Sequence, residues 1–183
     1  RKTYENCPMC RATIYKNKIQ ILKSNRLVAN NTNVEKWGTK TATLVDYLNI
    51  TLQNQDNRII VFSQWDTMLK ILSNVFNKCD INYLFITGSI YTINKRIRQF
   101  KLDKSIRVVL LSADKSASGL NLTEANHIVL LDTLNTDKES AKVIEDQAIG
   151  RSVRIGQQKE VNVKRFIMKD TIEHDNYNKI YNT

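Results

Sequence analysis

The chain has 183 residues, and 42% of them are hydrophobic, which is enough for one domain with a sizeable core and a short additional segment. Lys and Arg number 28 against 18 Asp and Glu, a net charge of +10, so we expect a polyanionic partner: nucleic acid first, an anionic membrane surface second. The absence of a long apolar stretch, of a secretory signal and of a disulfide framework among the three cysteines predicts a soluble, intracellular protein. Of the two polyanions we therefore expect nucleic acid, and no membrane partner.

The first predicted element of the domain follows a linker. Residues 16–37 lack steady periodicity and include the run NNTN, whereas from Thr39 apolar residues recur at a helical spacing, with Thr39 or Thr41 as the predicted N-cap. A helix with Trp65 on its apolar face is predicted after the first strand. In chain order, strands are predicted at 58–62, 83–86, 107–111, 127–131 and 161–167, with helices at 65–79, 93–102 and 138–154 and another after 171.

Several predicted strands are apolar at every position, as in IIVF, VVLL and HIVLL. Such strands are buried on both faces, and helices between them favour a parallel sheet covered on both sides. The sequence therefore predicts the α/β class. In such sheets ligands bind beyond the carboxyl ends of the strands, so the loops there hold the candidate site residues.

The segment QAIGRSVRIGQ, residues 147–157, is the most informative one. Arg151 and Arg154 lie three positions apart and would project from one face if the helix persisted, while Gly150 and Gly156 would let a ligand or another backbone approach. Two fixed guanidinium groups form a site for a phosphoryl group. Taken alone, however, a pair of arginines on a basic helix is more often a solvated surface.

The full pattern resembles motif VI of superfamily-two helicases, and its RIGQ ending is typical of the SWI/SNF branch. The resemblance implies that Arg151 and Arg154 are arginine fingers, which reach the γ-phosphate held by another lobe and which are worth about 10³ to 10⁵ in rate where measured. It also implies that Gln147 and Gly150 lie on the nucleotide side. Val153 stands where the family usually has His, so no role of an imidazole carries over.

The segment from residue 111 to residue 132 resembles motif V of the same family. Small residues and one glycine follow a buried strand there, and such a loop can turn its amides toward phosphate. The resemblance implies a nucleotide contact at Gly119 and DNA contacts at Ser112 and Lys115. After Asp132 the family usually reads WNP, whereas this chain has LNT at 134–136, so contacts of that Trp and Pro do not carry over.

Two weaker signals come earlier in the chain and agree in order. Residues 58–65, RIIVFSQW, resemble motif IV, which implies DNA contacts at Ser63 and Gln64. Residues 85–89, FITGS, followed by Arg96 and Phe100, resemble the family's DGSTxxxxRxxxIxxF stretch, with an amide at Gly88 and a hydroxyl at Ser89 for phosphate and with Arg96 as a brace for the following helix. Trp65 is expected in the core. The resemblance covers roughly residues 39–173.

Cys7 and Cys10, in CPMCR, have the spacing of one pair of zinc ligands, and a second pair is missing from this chain. The segment resembles the end of a RING finger, which one branch of the family, that of postreplication-repair translocases, carries between its two lobes. This implies a RING-like tail at 1–15, a linker at 16–37, Zn²⁺ at the finger, and a ubiquitin-conjugating enzyme as a possible partner. Two ordinary cysteines are the alternative.

The resemblance implies that residues 38–183 are the second RecA-like lobe of an ATP-driven DNA translocase. ATP with Mg²⁺ would be bound mainly by the N-terminal RecA-like lobe, because these 183 residues contain no GxxxxGK[ST] loop. We therefore expect the isolated chain to be inactive as an ATPase. The expected partners are that lobe and the backbone of double-stranded DNA, in the nucleus or at a viral replication site. A non-enzymatic basic module and part of a ubiquitin ligase are the rival interpretations.

Overall fold

The computed structural model describes residues 35–112 and 120–181, and its centre is a parallel sheet. Every pair of neighbouring strands runs parallel, and the spatial order is β2-β3-β1-β4-β5. The predicted α/β class with a parallel sheet is therefore confirmed. The strands are β1 (Ile59–Ser63), β2 (Tyr83–Ile86), β3 (Val108–Ser112), β4 (His127–Leu130) and β5 (Asn162–Arg165).

Helices cover both faces of this sheet. One apolar cluster joins α1 and α2 to side chains such as Val61 and Leu110, and a second joins α3 and α4 to side chains such as Ile60 and Val109 on the opposite face. No helix in the described residues is both long and apolar enough to cross a membrane. The helices are α1 (Thr39–Thr51), α2 (Asp66–Lys78), α3 (Ile90–Leu102), α4 (Lys138–Gly150) and α5 (Ile172–Tyr181).

The helix starts differ from the predicted ones where capping chemistry decides. Gly38 is the N-cap of α1, with φ 79°, and no side chain caps that end, so the predicted caps Thr39 and Thr41 are wrong. The α3 helix begins at Ile90, before the predicted residue 93. The reason is that the Ser89 hydroxyl accepts a hydrogen bond from the Thr92 amide at 3.4 Å and so starts the helix early.

Trp65 does not lie in the core, and the prediction that it does is wrong. It is the N-cap of α2, its backbone is extended, and the side chain is 57% exposed. The apolar face of the helix begins one turn later, with Leu69 and Leu72 fully buried. Because Trp65 precedes the first turn of α2, its side chain does not project from the apolar face, although its position in the sequence fits the spacing of that face.

Arg96 lies on α3 and contacts the outer strand of the sheet. Its guanidinium donates to the backbone carbonyl of Phe85 and, at 3.4 Å, to that of Thr87. Strand β2, which contains Phe85, has β3 as its single neighbour in the described sheet. Arg96 thus ties α3 to the end of β2 and fixes the loop between them.

Arg58, just before β1, is a buried cation with a structural role. Its guanidinium donates to the carbonyls of Phe100, Asp103 at 3.0 Å and Ile106 at 2.7 Å, and it stacks on the Phe100 ring at 3.8 Å. Burial lowers the pKa of Arg58. These contacts hold the end of α3 and the entry to β3 against the start of β1.

We predict that Arg58→Met lowers the free energy of unfolding by about 2–4 kcal/mol, because carbonyls beneath the guanidinium lose their donor while the methylene packing is largely kept. Denaturant unfolding measures the effect. Lys104→Met, at an exposed position close by, is the control and should change stability little. Equal stabilities of the two variants would contradict the structural role of Arg58.

Candidate nucleotide and DNA interface

Several of the predicted site residues lie at the carboxyl edge of the sheet. Ser63 and Ser112 are register partners at the carboxyl ends of β1 and β3, and Ile86 ends β2 at the same edge. The segment after α4, with Arg151 and Arg154, lies towards the opposite edge, because its Gln157 contacts Thr123 and Ala125, which precede β4. The loops that carry the predicted DNA contacts follow the strands, at the carboxyl edge. This is the edge at which parallel sheets bind ligands.

Arg151 and Arg154 lie in a turn and not on a continuous helix, so the predicted extension of the helix to residue 154 is wrong. The helix α4 ends at Gly150, and Arg151 is its C-cap. The carbonyl of Arg151, which a continuing helix would pair with residue 155, accepts instead from the amide of Leu122 at 2.9 Å. A tertiary contact with the segment after β3 therefore holds the arginine turn just after the end of the helix.

Gln157 closes this turn against the same segment. Its side-chain amide donates to the carbonyls of Thr123 at 2.9 Å, Ala125 at 2.8 Å and Ser152 at 3.2 Å. Its side-chain oxygen accepts from the amide of Lys159 at 2.9 Å. The glutamine at the end of the RIGQ segment is thus an internal clamp that joins the motif V and motif VI regions.

The two arginines are close to each other and have no acidic partner in the described part of the chain. Burial lowers the pKa of Arg151, and the neighbouring charge of Arg154 lowers it further. The buried Nε of Arg151 has no hydrogen-bond partner among the described residues, whereas Arg154 is exposed. Two neighbouring cations whose charge is not neutralised internally form a site that an anion would stabilise.

The surface beside the arginines is open. Gln147 is exposed, and a Cβ atom added at Gly150 would meet nothing within 4 Å. A phosphate chain could therefore approach the guanidinium groups along the last turn of α4. The unpartnered Nε of Arg151 and this clearance fit the nucleotide that the sequence predicts here.

Ser63 is engaged inside the domain. It is 2% exposed, its hydroxyl donates to the carboxylate of Asp132, and it accepts from the amide of Trp65 at 3.0 Å. Gln64 is partly exposed, and its side-chain amide donates to the carbonyl of Thr133 at 2.9 Å. The Ser63 hydroxyl therefore orients the loop after β1, and the predicted contacts of this loop with DNA stay predictions.

Lys40 connects this loop to both ends of the domain. Its ammonium group donates to the carbonyl of Leu131 at 2.8 Å and to the carboxylate of Glu173, and it lies 3.8 Å from the carboxylate of Asp132. Burial raises the pKa of Asp132, although the Ser63 hydroxyl and the Lys40 charge act in the opposite direction. Sequence reasoning missed this cluster because its members are 91 and 133 residues apart and form no local motif.

The remaining predicted DNA contacts differ in accessibility. Gly88, with φ 104°, and Ser89 are exposed at the start of α3. Ser112 is 2% exposed, and its hydroxyl has no hydrogen-bond partner among the described residues. Lys115 and Gly119 lie outside the described residues.

The predicted zinc ligands Cys7 and Cys10 also lie outside the residues that the structure describes. Within residues 35–112 and 120–181, no group of three or more His, Cys, Asp or Glu side chains could hold a metal ion. Zinc binding and the RING-like tail therefore remain predictions from the cysteine spacing.

We predict that Lys40→Met lowers the free energy of unfolding by about 1–3 kcal/mol at neutral pH, because it leaves two poorly hydrated carboxylates without their cation. The raised pKa of Asp132 means that its ionised form is the disfavoured one in the folded state. The loss should therefore shrink as the pH falls through that pKa. Denaturant unfolding over a pH series measures it.

Two controls accompany the Lys40 variant. Lys70→Met, at an exposed position on α2, should change stability little at any pH. In an Asp132→Asn background the effect of Lys40→Met should be smaller, since one of the carboxylates no longer needs a countercharge. A loss that is the same in both backgrounds would remove Asp132 from this account.

Gln157 and its neighbour Gln158 form a matched pair for a second test. We predict that Gln157→Met lowers the free energy of unfolding by about 1–3 kcal/mol, because the carbonyls of Thr123 and Ala125 lose their donor. Gln158→Met, at an exposed position, should stay within about 0.5 kcal/mol of the unaltered chain. Similar effects of both substitutions would argue against the clamp.

Comparisons with known proteins agree with this geometry. The helicase conserved C-terminal domain family matches residues 39–156. The uncharacterized ATP-dependent helicase C23E6.02 of Schizosaccharomyces pombe is 35% identical over 147 residues, which are 78% of this chain and 14% of that protein. DNA repair protein RAD5A of Arabidopsis thaliana is 31% identical over 172 residues, 91% of this chain and 16% of that protein.

A solved structure extends the likeness to three dimensions. The crystal structure of the C-terminal part of the Fun30 ATPase domain matches with a TM-score of 0.71 and 27% identity, over 77% of this chain and 45% of that one. The chain thus spans a small fraction of its curated relatives, 14% and 16% of the two proteins above. It belongs to the helicase conserved C-terminal domain family, and within that family it is the RecA-like C-terminal lobe of a SWI/SNF-type helicase.

Proposed function

We propose that Arg151 and Arg154 are the arginine fingers of an ATP-dependent DNA translocase and complete a nucleotide site whose other wall belongs to the N-terminal RecA-like lobe. The observation that carries this proposal is the pair of neighbouring guanidinium groups without an acidic partner in the described residues, in a turn held against Leu122. Arg58, which has a structural role, differs in that its guanidinium donates to three backbone carbonyls, although its Nε also has no hydrogen-bond partner among the described residues.

The residues around the arginines have separate roles in this proposal. Arg151 and Arg154 stabilise negative charge on the transferred phosphoryl group, while Gln147 and Gly150 leave room for the phosphate chain along α4. ATP with Mg²⁺ supplies that phosphoryl group when it is bound. The contact from Leu122 to the Arg151 carbonyl keeps the turn fixed, so little reorganisation is needed when the lobes close.

The DNA contacts that we propose lie along the carboxyl edge of the sheet. Gly88 and Ser89 are exposed at the positive end of α3, and Gln64 is accessible after β1. Ser63 and Ser112 are buried and would act by shaping their loops. Such contacts reach the backbone of double-stranded DNA and carry no base information, so we expect binding that depends steeply on salt.

The properties of the whole protein are further proposals, because this chain spans a small part of its relatives. We propose translocation along duplex DNA and a nuclear location or a viral replication site. The name of RAD5A refers to DNA repair and supports a role of that kind. We also propose a zinc-bound RING and a ubiquitin-conjugating enzyme as a partner. In this chain, the spacing of Cys7 and Cys10 supports both proposals.

We predict that Arg151→Ala or Arg154→Ala in the full-length protein lowers the DNA-stimulated ATPase rate by about 10³-fold or more. Arg151→Lys should restore little, because an ammonium group cannot reproduce the planar fork of a guanidinium. Lys142→Ala, at an exposed position on the same helix, is the control and should leave the rate nearly unchanged. Phosphate release in single- and multiple-turnover assays measures the effect.

The isolated chain separates this proposal from the rival one of a non-enzymatic basic module. We expect the chain by itself to bind DNA and to hydrolyse no ATP, because it has no loop that cradles the phosphates. Full-length ATPase activity that is insensitive to both arginine substitutions would favour the basic module. Robust ATPase activity of the isolated chain, lost in Arg151→Ala, would contradict the division of the site between two lobes.

A further inference from the structure

We propose that the outward face of α3 is a second DNA-binding surface, which continues from the helix start along the length of the helix. This inference rests on the proposed DNA binding at Gly88 and Ser89 and extends it to side chains to which none of the helicase motifs quoted above assigns a role. The surface consists of Tyr91, Lys95, Arg98 and Leu102 and is called the α3 stripe below.

The α3 stripe is a single line on the helix. Its members follow one another at intervals of four, three and four residues, so all of them project from one side. The opposite side, with Ile93 and Phe100, is buried in the second apolar cluster. All four stripe residues are exposed, and Tyr91 is 79% and Leu102 73% exposed.

The cations of the α3 stripe are not used inside the described domain. The helix carries four basic residues and no acidic one. Arg96 is bound to backbone carbonyls and Lys101 lies 3.5 Å from Glu124, whereas Lys95 and Arg98 make no ion pair within the described residues. Helix α2, on the other face of the sheet, has the usual charge distribution, with the acidic Asp66 in its first turn and the basic Lys78 in its last.

An unneutralised helix start and two unpaired cations on one line produce positive potential along the whole helix. Arg98 lies nine residues after Ser89, a rise of about 13 Å, and duplex DNA presents one phosphate per about 1.7 Å of its axis. A backbone held at Ser89 therefore has phosphates within reach of Lys95 and Arg98. A polyanion is the partner that fits.

Tyr91 and the neighbouring Ile90, which is 73% exposed, add apolar surface beside this charge. Single exposed apolar residues are common on proteins, but here two adjoin the predicted phosphate site in the first turn of the helix. A tyrosine ring packs well against deoxyribose or in a minor groove, while its hydroxyl stays hydrated. This combination favours duplex DNA over an acidic protein as the partner.

The test uses the full-length protein and a duplex of random sequence, with affinities measured from 50 to 200 mM salt. Removing two phosphate contacts with Lys95→Gln and Arg98→Gln should reduce the slope of log affinity against log salt by about two. The ratio of the DNA affinity of the unaltered protein to that of the double variant should therefore be largest at low salt, and it should fall by roughly tenfold from 50 to 200 mM salt. Tyr91→Ser should weaken binding at all salt concentrations without changing the slope.

Matched controls come from α2, on the opposite face. Lys70→Gln with Lys78→Gln removes the same charge from exposed positions and should change the slope little, and Ile71→Ser is the partner control for Tyr91→Ser. Equal effects of the two double variants would show that bulk charge alone binds DNA and would overturn the inference. Unchanged DNA binding combined with lost self-association, or with lost binding to an acidic protein, would overturn it too.

The outcomes remain distinguishable from those of the proposed function. If the α3 variants bind like the unaltered protein while Arg151→Ala abolishes ATPase activity, the stripe alone is rejected. If the ATPase activity is insensitive to both arginines, the proposed function is rejected, whatever the stripe does.

Discussion

A single backbone hydrogen bond decides the geometry of the candidate site. The carbonyl of Arg151 can accept from the next helical turn or from the amide of Leu122, and in the folded chain Leu122 is the donor. That bond holds the turn that contains both arginines and connects the segment after β3 to the segment after α4. Gln157 strengthens the connection from the other side. A conformational change in the segment after β3 therefore moves the segment after α4, and the reverse also holds.

The cluster around Asp132 has a different physical character. It places carboxylates in a poorly hydrated position and compensates with one ammonium group, so its contribution to stability is a small difference between large terms. Its value to the fold is positional, because Lys40, Ser63 and Glu173 belong to the first helix, the first strand and the last helix. Through Asp132 the two ends of the domain are attached to the loop that we propose to face DNA.

Much of the fold follows from local patterns in the sequence. The doubly apolar strands and the helical spacing of α2 predicted the parallel sheet and its buried residues, because burial on one or both faces leaves a periodic signature. Local patterns could not reveal where helices begin and end when tertiary contacts compete with helical hydrogen bonds. The helix α4 ends four residues before the predicted end, in a turn that contacts Leu122, and Trp65 stands outside its helix. The family motifs located the arginines, but their freedom from acidic partners became visible from the packing of the described residues.

The contact of Arg96 with the outer strand β2 also affects how readily the chain aggregates. A strand with one neighbour is a template on which other polypeptides can grow as additional strands. A carbonyl that already accepts from a guanidinium is a weaker acceptor for an added strand, and that strand would have to move the Arg96 side chain aside. Arg96 thus opposes edge-to-edge aggregation of the chain during synthesis. Its substitution would lower solubility before it lowered activity.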